Sequence, residues 1–280
     1  MNAYWKWALI GLLVAGLGMG TGCGDDDSES GTENNQAAPN NQEDPNGDEE
    51  IPNRCDDYDL DELPELEEGS TEVSLDASYD MRMNEFAFSG GSPGRPLNGV
   101  INSFLDQEEE FPIIVLLELR EIDQEEGTLQ VRGGAGLHAE EPGQEEYVWD
   151  AELEEPDFTE GEIDGAGNFQ ATLPLLNFVA TVNAEGELLK TVIPIRDLAL
   201  EATLELDGDD PVIDDASLTG IVREDEASDV RIALTPGQEG VALPSVLGVD
   251  DMNFDYECDG GADAWLMSAE FSAQRTVIVE

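Results

Sequence analysis

Four acidic residues near the C-terminus have the spacing that a cation site needs. Asp255, Glu257, Asp259 and Asp263 lie in the run Asp255-Tyr256-Glu257-Cys258-Asp259-Gly260-Gly261-Ala262-Asp263, which reads D-x-E-x-D-G-x-x-D. Alternate side chains of a tight loop can converge on one point. Carboxylate oxygens suit a hard cation, and Gly260 permits the sharp turn. Asp251 and Asn253 extend the alternation upstream. A cation there would lock the loop and carry out no reaction. The bland alternative is a solvated acidic turn in a chain with 66 Asp and Glu.

Groups for catalysis are sparse. Gly90-Gly91-Ser92-Pro93-Gly94 matches G-x-S-x-G. A nucleophile elbow, however, needs the backbone N–H of the residue after the serine, and Pro93 has none. His138 is the only histidine, so no histidine metal triad can be built, and it reads as an ordinary surface residue. Carboxylate pairs such as Glu140/Glu141 and Asp214/Asp215 have the chemistry of a glycosidase acid and base, but pairs of this kind arise by chance in so acidic a chain. Tyr147, Trp149 and Trp265 fall on expected strands. They could stack on sugars or line a cavity; core packing is the plainer use. The sequence is read as that of a protein without catalysis.

The acidic loop resembles the calcium loops of EF-hands, dockerins and thrombospondin type-3 repeats. It departs from them at Glu257, where Asp or Asn is usual, and at Leu266, where EF-hands carry a glutamate. The resemblance implies a structural calcium held by Asp255, Glu257, Asp259 and Asp263.

A second resemblance lies at the N-terminus. Lys6 precedes an apolar run of 12 residues, Ala8 to Met19, then Gly20-Thr21-Gly22 and Cys23. The run is too short to span ~30 Å of hydrocarbon as a helix and fits the core of a secretory signal. The ending resembles the lipobox of bacterial lipoproteins, with Gly20 where an aliphatic residue is usual. The resemblance implies a signal peptide over 1–22 and a diacylglycerol thioether on Cys23. It also implies a membrane anchor without a spanning helix. Gly24 replaces the aspartate that favours inner-membrane retention in that family, which points to the outer membrane, periplasmic or surface-exposed. With Cys23 acylated, Cys55 and Cys258 remain, and an oxidising compartment favours a disulfide between them. A cysteine metal site has little support, since no CxxC spacing occurs.

Residues 24–50 contain no large apolar side chain and read as a disordered acidic tether. Residues 51–280 read as one β-rich domain. Val73, Leu75, Ala77, Tyr79, Met81 and Met83 alternate, then the parity changes before Phe86 and Phe88, which predicts a bulge near Asn84. Leu97, Val100, Ile101, Phe104 and Leu105 predict a helix that covers the open end or one face of a sheet. Further strands are expected over 111–122, 128–134, 147–153, 169–173, 178–182, 188–195, 198–206, 212–222 and 264–279. Turns are signalled by Asp164-Gly165, Ala184-Glu185-Gly186 and Asp207-Gly208. The expected fold is all-β, an antiparallel barrel or sandwich of about ten strands with one or two short helices.

Eleven Lys and Arg stand against the 66 acids, a formal charge of -55. Such a surface repels a phosphate backbone and excludes nucleic acid as a partner. Cations and basic proteins remain compatible. The chain is therefore read as a lipid-anchored binding or structural module whose partner is a protein, a glycan or a small apolar ligand. The last of these would make the domain a barrel carrier with the 96–106 helix as its lid. Like-charge repulsion is screened within ~8–10 Å at moderate salt. The thermal unfolding midpoint is thus expected to rise when sodium chloride is added to dilute buffer; a flat or falling midpoint contradicts this.

Overall fold

Tyr79, Met81 and Met83 point to one side of a strand, and after one extra residue Phe86 and Phe88 point to the same side. The pairing register slips between Met83 and Glu85, so Asn84 is the bulge that restores the apolar side chains to the interior. This computed structural model describes residues 51–55, 66, 73–89, 92–98, 101, 105, 113–139, 146–184, 187–208, 210–232 and 240–279. Cys23, the expected signal peptide over 1–22 and the expected tether over 24–50 lie outside the described residues.

Within them the strands are β1 (Tyr79–Phe88), β2 (Val115–Asp123), β3 (Thr128–His138), β4 (Glu146–Trp149), β5 (Thr159–Ile163), β6 (Asn168–Ala184), β7 (Glu187–Asp207), β8 (Asp210–Arg223), β9 (Arg231–Ile232), β10 (Val241–Ala242), β11 (Ala264–Arg275) and β12 (Val277–Ile278). Eight of them, β1, β2, β3, β5, β6, β7, β8 and β11, pair antiparallel in that order. The pairing of β11 with β1 and of β3 with β5 closes the ring. The fold is thus an all-β antiparallel barrel. Outside the ring, β4 pairs with the far half of β3, and β12 runs parallel to β4.

An eight-stranded barrel leaves an interior just wide enough for side chains to fill. Met81, Met83, Phe86, Leu117, Phe169, Leu200, Trp265 and Phe271 belong to one buried core. The Phe86 ring stands edge-on to Phe88 and 5.0 Å from Phe178. Glu201, Glu205, Ser217 and Glu270 face water. Apolar-in and polar-out is the inverse of a membrane-spanning barrel. Among the described residues no helix is long and apolar enough to cross a membrane.

Of the helix expected from Leu97 to Leu105 the structure describes the 3-10 turn Arg95–Leu97 and residues 98, 101 and 105, and Val100 and Phe104 lie outside the described residues. Leu97, Ile101 and Leu105 are buried in the barrel core, and the Leu105 N–H donates to the Ile101 carbonyl one turn back. Two short helices, α1 (Glu224–Ala227) and α2 (Leu243–Leu247), add Ala227, Leu243 and Leu247 to the same core.

Two hairpins, β5–β6 and β6–β7, differ from the simplest reading. β6 and β7 are single strands of 17 and 21 residues that run through Pro174 and Pro194. The Asp164-Gly165 turn is held by Asp164 Oδ1, which accepts the N–H groups of Ala166 and Asn168, and its left-handed residue is Gly167 at φ 89°. The short β5 was not expected: Thr159–Ile163 has one large apolar residue. At the Asp207-Gly208 turn, by contrast, β7 and β8 pair back as expected.

Cys55 and Cys258 form a disulfide that closes a sequence separation of 203 residues. In the chain-entropy account so long a loop contributes up to ~5 kcal/mol. The Cys55→Ser/Cys258→Ser variant is expected to fold to the same barrel with a clearly lower urea midpoint. An unchanged midpoint would mean that the backbone contacts of residues 52–54 suffice alone.

Candidate functional site

The acidic loop is built by its own carboxylates. Asp255, 4 % exposed, accepts the Asp259 N–H at 3.1 Å on Oδ1 and the Gly260 N–H at 2.7 Å on Oδ2. Asp263 accepts the Tyr256 N–H at 2.6 Å and the Glu257 N–H at 3.1 Å. Asp259 Oδ1 takes the Gly261 N–H, and Glu257 Oε1 lies 3.5 Å from the Arg223 guanidinium. The four acids thus turn to loop N–H groups and to Arg223, and share no common point. Among the described residues no group of three or more His, Cys, Asp or Glu is placed to hold a metal ion.

The same loop receives the start of the domain. Asn53 and Asp255 form a parallel bridge, the Arg54 N–H donates to the Asp255 carbonyl, and the Asp255 N–H donates to the Pro52 carbonyl. The Arg54 and Arg223 guanidinium groups lie 4.7 and 4.8 Å from the Tyr256 ring centroid. Arg54 also pairs with Asp197 at 3.0 Å. Cation–π and ion-pair attraction therefore reinforce the disulfide.

The remaining candidates are scattered. Ser92 and Gly94 stand in the turn before Arg95–Leu97, with a Phe88 ring where a Cβ on Gly94 would go. His138 is half-buried on β3, its ring 5.1 Å from Tyr147. Tyr147 and Trp265 are fully buried, and Trp265 Nε1 donates to the Gly248 carbonyl. Asp214 is exposed on β8. Glu140 and Glu141 lie outside the described residues, as does the side chain of Asp215.

A different site emerges where the barrel wall is incomplete. The first half of β3 pairs with β5 only as far as Val131, and the second half pairs with β4 from Gly136 onward. β6 pairs with β5 only as far as Ala171. Between these limits a notch of about 200 Å³ opens. Gly133, Gly134 and Ala135 form one side, Leu173 to Leu175 and Asn177 the other, and Trp149 with Leu153 to Asp157 the rim. A Cβ on Gly133 would lie 2.9 Å from Leu117 and 3.1 Å from Leu173, and one on Gly134 would lie 3.1 Å from Pro156. Glycine at both positions therefore lets the neighbouring side chains close in.

Two cations lie beside this rim, each bound to residues that line it. The Arg132 guanidinium lies 4.9 Å from the Trp149 ring and 4.6 Å from the Phe158 ring, and binds Glu118 and Glu155 at 2.6 Å each. Burial lowers the proton affinity of Arg132, but the hydrogen bonds it donates to Glu118 and Glu155, with their negative charge, outweigh this and raise the pKa. Lys190 lies 2.5 Å from buried Asp150 and 2.7 Å from Glu152. Burial opposes its charge too, and the two carboxylates more than compensate, so its pKa is raised above the ordinary lysine value. Stability from this group is complete below the unfolded lysine pKa and is lost as pH rises through the higher folded one. Glu154 and Asp157 on the rim are exposed and have no cation among the described residues.

Comparison of the chain with protein-family models, with curated proteins and with solved structures finds no match.

Of the two sites, the acidic loop is the one visible in the sequence. Asp255→Ala would leave two N–H groups without their acceptor, and is expected to cost about 1–3 kcal/mol in chelator-containing buffer. In the native chain, unfolding midpoints with calcium and with magnesium at fixed ionic strength test for a cation. A calcium-specific rise establishes one, and equal midpoints leave the N–H contacts as the loop's support.

Proposed function

We propose that this chain is a lipid-anchored, non-catalytic binding or structural module of the cell envelope. Its barrel serves as a rigid scaffold, and any partner is met on the outer wall. The observation that carries this reading is the filled interior. Met81, Met83, Phe86, Phe169 and Trp265 occupy the barrel at 0–1 % exposure. A lipocalin-like carrier would need that space for its ligand. Leu97, Ile101 and Leu105 are part of the core, a poor arrangement for a lid that must open. The small-apolar-ligand carrier is therefore the weaker reading.

The anchor rests on Cys23 and the segment before it. Two or three acyl chains on one cysteine hold firmly, since each buried CH₂ contributes ~0.8 kcal/mol. The disulfide fits an oxidising compartment outside the cytoplasm. The outer membrane is the proposed location, and structural calcium in the 255–263 loop belongs to this reading as a stabiliser only.

Expression with labelled palmitate is expected to mark the wild-type chain and to leave Cys23→Ser unlabelled and released from membranes. Label on neither protein sinks the anchor. Stoichiometric lipid extracted from the purified Cys23→Ser chain would instead restore the carrier.

A further inference from the structure

We propose that the notch between β3 and β6 binds a cationic side chain, a lysine or arginine presented by a basic protein partner. The inference deepens the binding-module reading and rests on it.

The notch has the form such a side chain requires. Its volume of about 200 Å³ suits one long side chain and is small for a folded segment. Leu153, Pro156, Leu173 and Leu175 offer apolar walls to a methylene stem, while the charged head of Lys or Arg stays at the polar mouth. The mouth is acidic. Glu154 and Asp157 are exposed there and unmatched by any cation among the described residues.

The main chain supplies a further attachment. Gly136 N–H donates to the carbonyl of Ile114, the residue just before β2, so even-numbered residues of β3 turn their N–H and carbonyl groups to β2. The carbonyl of Ala135 faces the other way and accepts the Asp150 N–H. By the same alternation the N–H and carbonyl of Gly133 face the notch, beyond the last β5 partner at Val131. An ammonium or guanidinium held by the carboxylates at the mouth has this carbonyl oxygen turned toward it from the notch wall.

The protein already demonstrates the chemistry beside the notch. Arg132 is held next to the rim by two aromatic rings and two carboxylates, and Lys190 by two more carboxylates. A cation from a partner would repeat this arrangement with the acids left over. Long-range attraction by the -55 charge would raise the encounter rate of any basic partner but would not select a place on the wall. The notch provides the place.

The test is fluorescence anisotropy of a labelled glycine–lysine peptide with the full chain in detergent, at physiological salt. A counterpart with norleucine in place of lysine serves as the neutral probe. The lysine peptide is expected to bind and the norleucine peptide not. Glu154→Gln/Asp157→Asn is expected to weaken binding about tenfold, since each exposed charge contributes modestly. Leu153→Trp, which fills the notch and leaves every charge in place, is expected to abolish binding. Glu85→Gln/Glu270→Gln removes the same charge from the opposite wall and should change binding less than twofold. Equal losses in the two charge variants, or full binding by Leu153→Trp, overturn the notch in favour of diffuse attraction and leave the module reading standing. No binding by the wild type overturns the notch as well; the lipid-anchor half of the module reading is judged separately, by the palmitate label on Cys23.

Discussion

The whole fold hangs on one short seam. Thr128–Val131 of β3 pair with Thr159–Glu162 of β5, and through this pairing the ring of eight strands closes. Without it, two sheet edges would be exposed and the apolar interior would open to water. The seam is short because β5 is only five residues long. A short closing strand leaves the wall unfinished beyond Val131 and Ala171, so the closure that protects the core also creates the notch.

Charge is distributed with the same economy. Among the described residues seven basic side chains, on Arg54, Arg120, Arg132, Lys190, Arg196, Arg223 and Arg275, pair with carboxylates. Arg82 is buried, with Nη1 on the Leu105 carbonyl and its guanidinium beside Tyr147. Cations thus act inward, as ties between segments distant in sequence: Arg54 with Asp197, Arg196 with Glu226, Lys190 with Asp150. The acids that remain set the character of the surface. Each exposed pair is worth little by itself. Their value lies in placement, at the loop that joins the domain's start to its end and along the rim of the notch.

Much of this was legible in the chain. Alternation gave the barrel strands, and the parity change between Met83 and Phe86 gave the bulge at Asn84. The spacing of Leu97, Ile101 and Leu105 marked the segment that joins the core. Cysteine arithmetic paired Cys55 with Cys258. Other features escaped for definite reasons. The strand expected over 169–173 stops short of Pro174, yet alternation aims the proline nitrogen away from β7, to the side where β5 has ended, and no ladder bond is lost. β5 has too few apolar residues to show itself. The acids of the 255–263 loop have the spacing of cation ligands, but the same spacing suits carboxylates that accept N–H bonds from a tight turn, and sequence does not separate the two. The notch had no signal at all, because it depends on where three strands stop pairing.

The knot around Cys55 also decides how the domain bears a load. A pull on the chain ahead of Cys55 is handed at once across the disulfide and the Asn53–Asp255 bridge to the loop before β11. From there it enters the long antiparallel pairings of β11 with β8 and with β1 as shear along many hydrogen bonds in parallel. The junction at Cys55 is therefore a mechanical clamp that loads the barrel wall in shear along its strands.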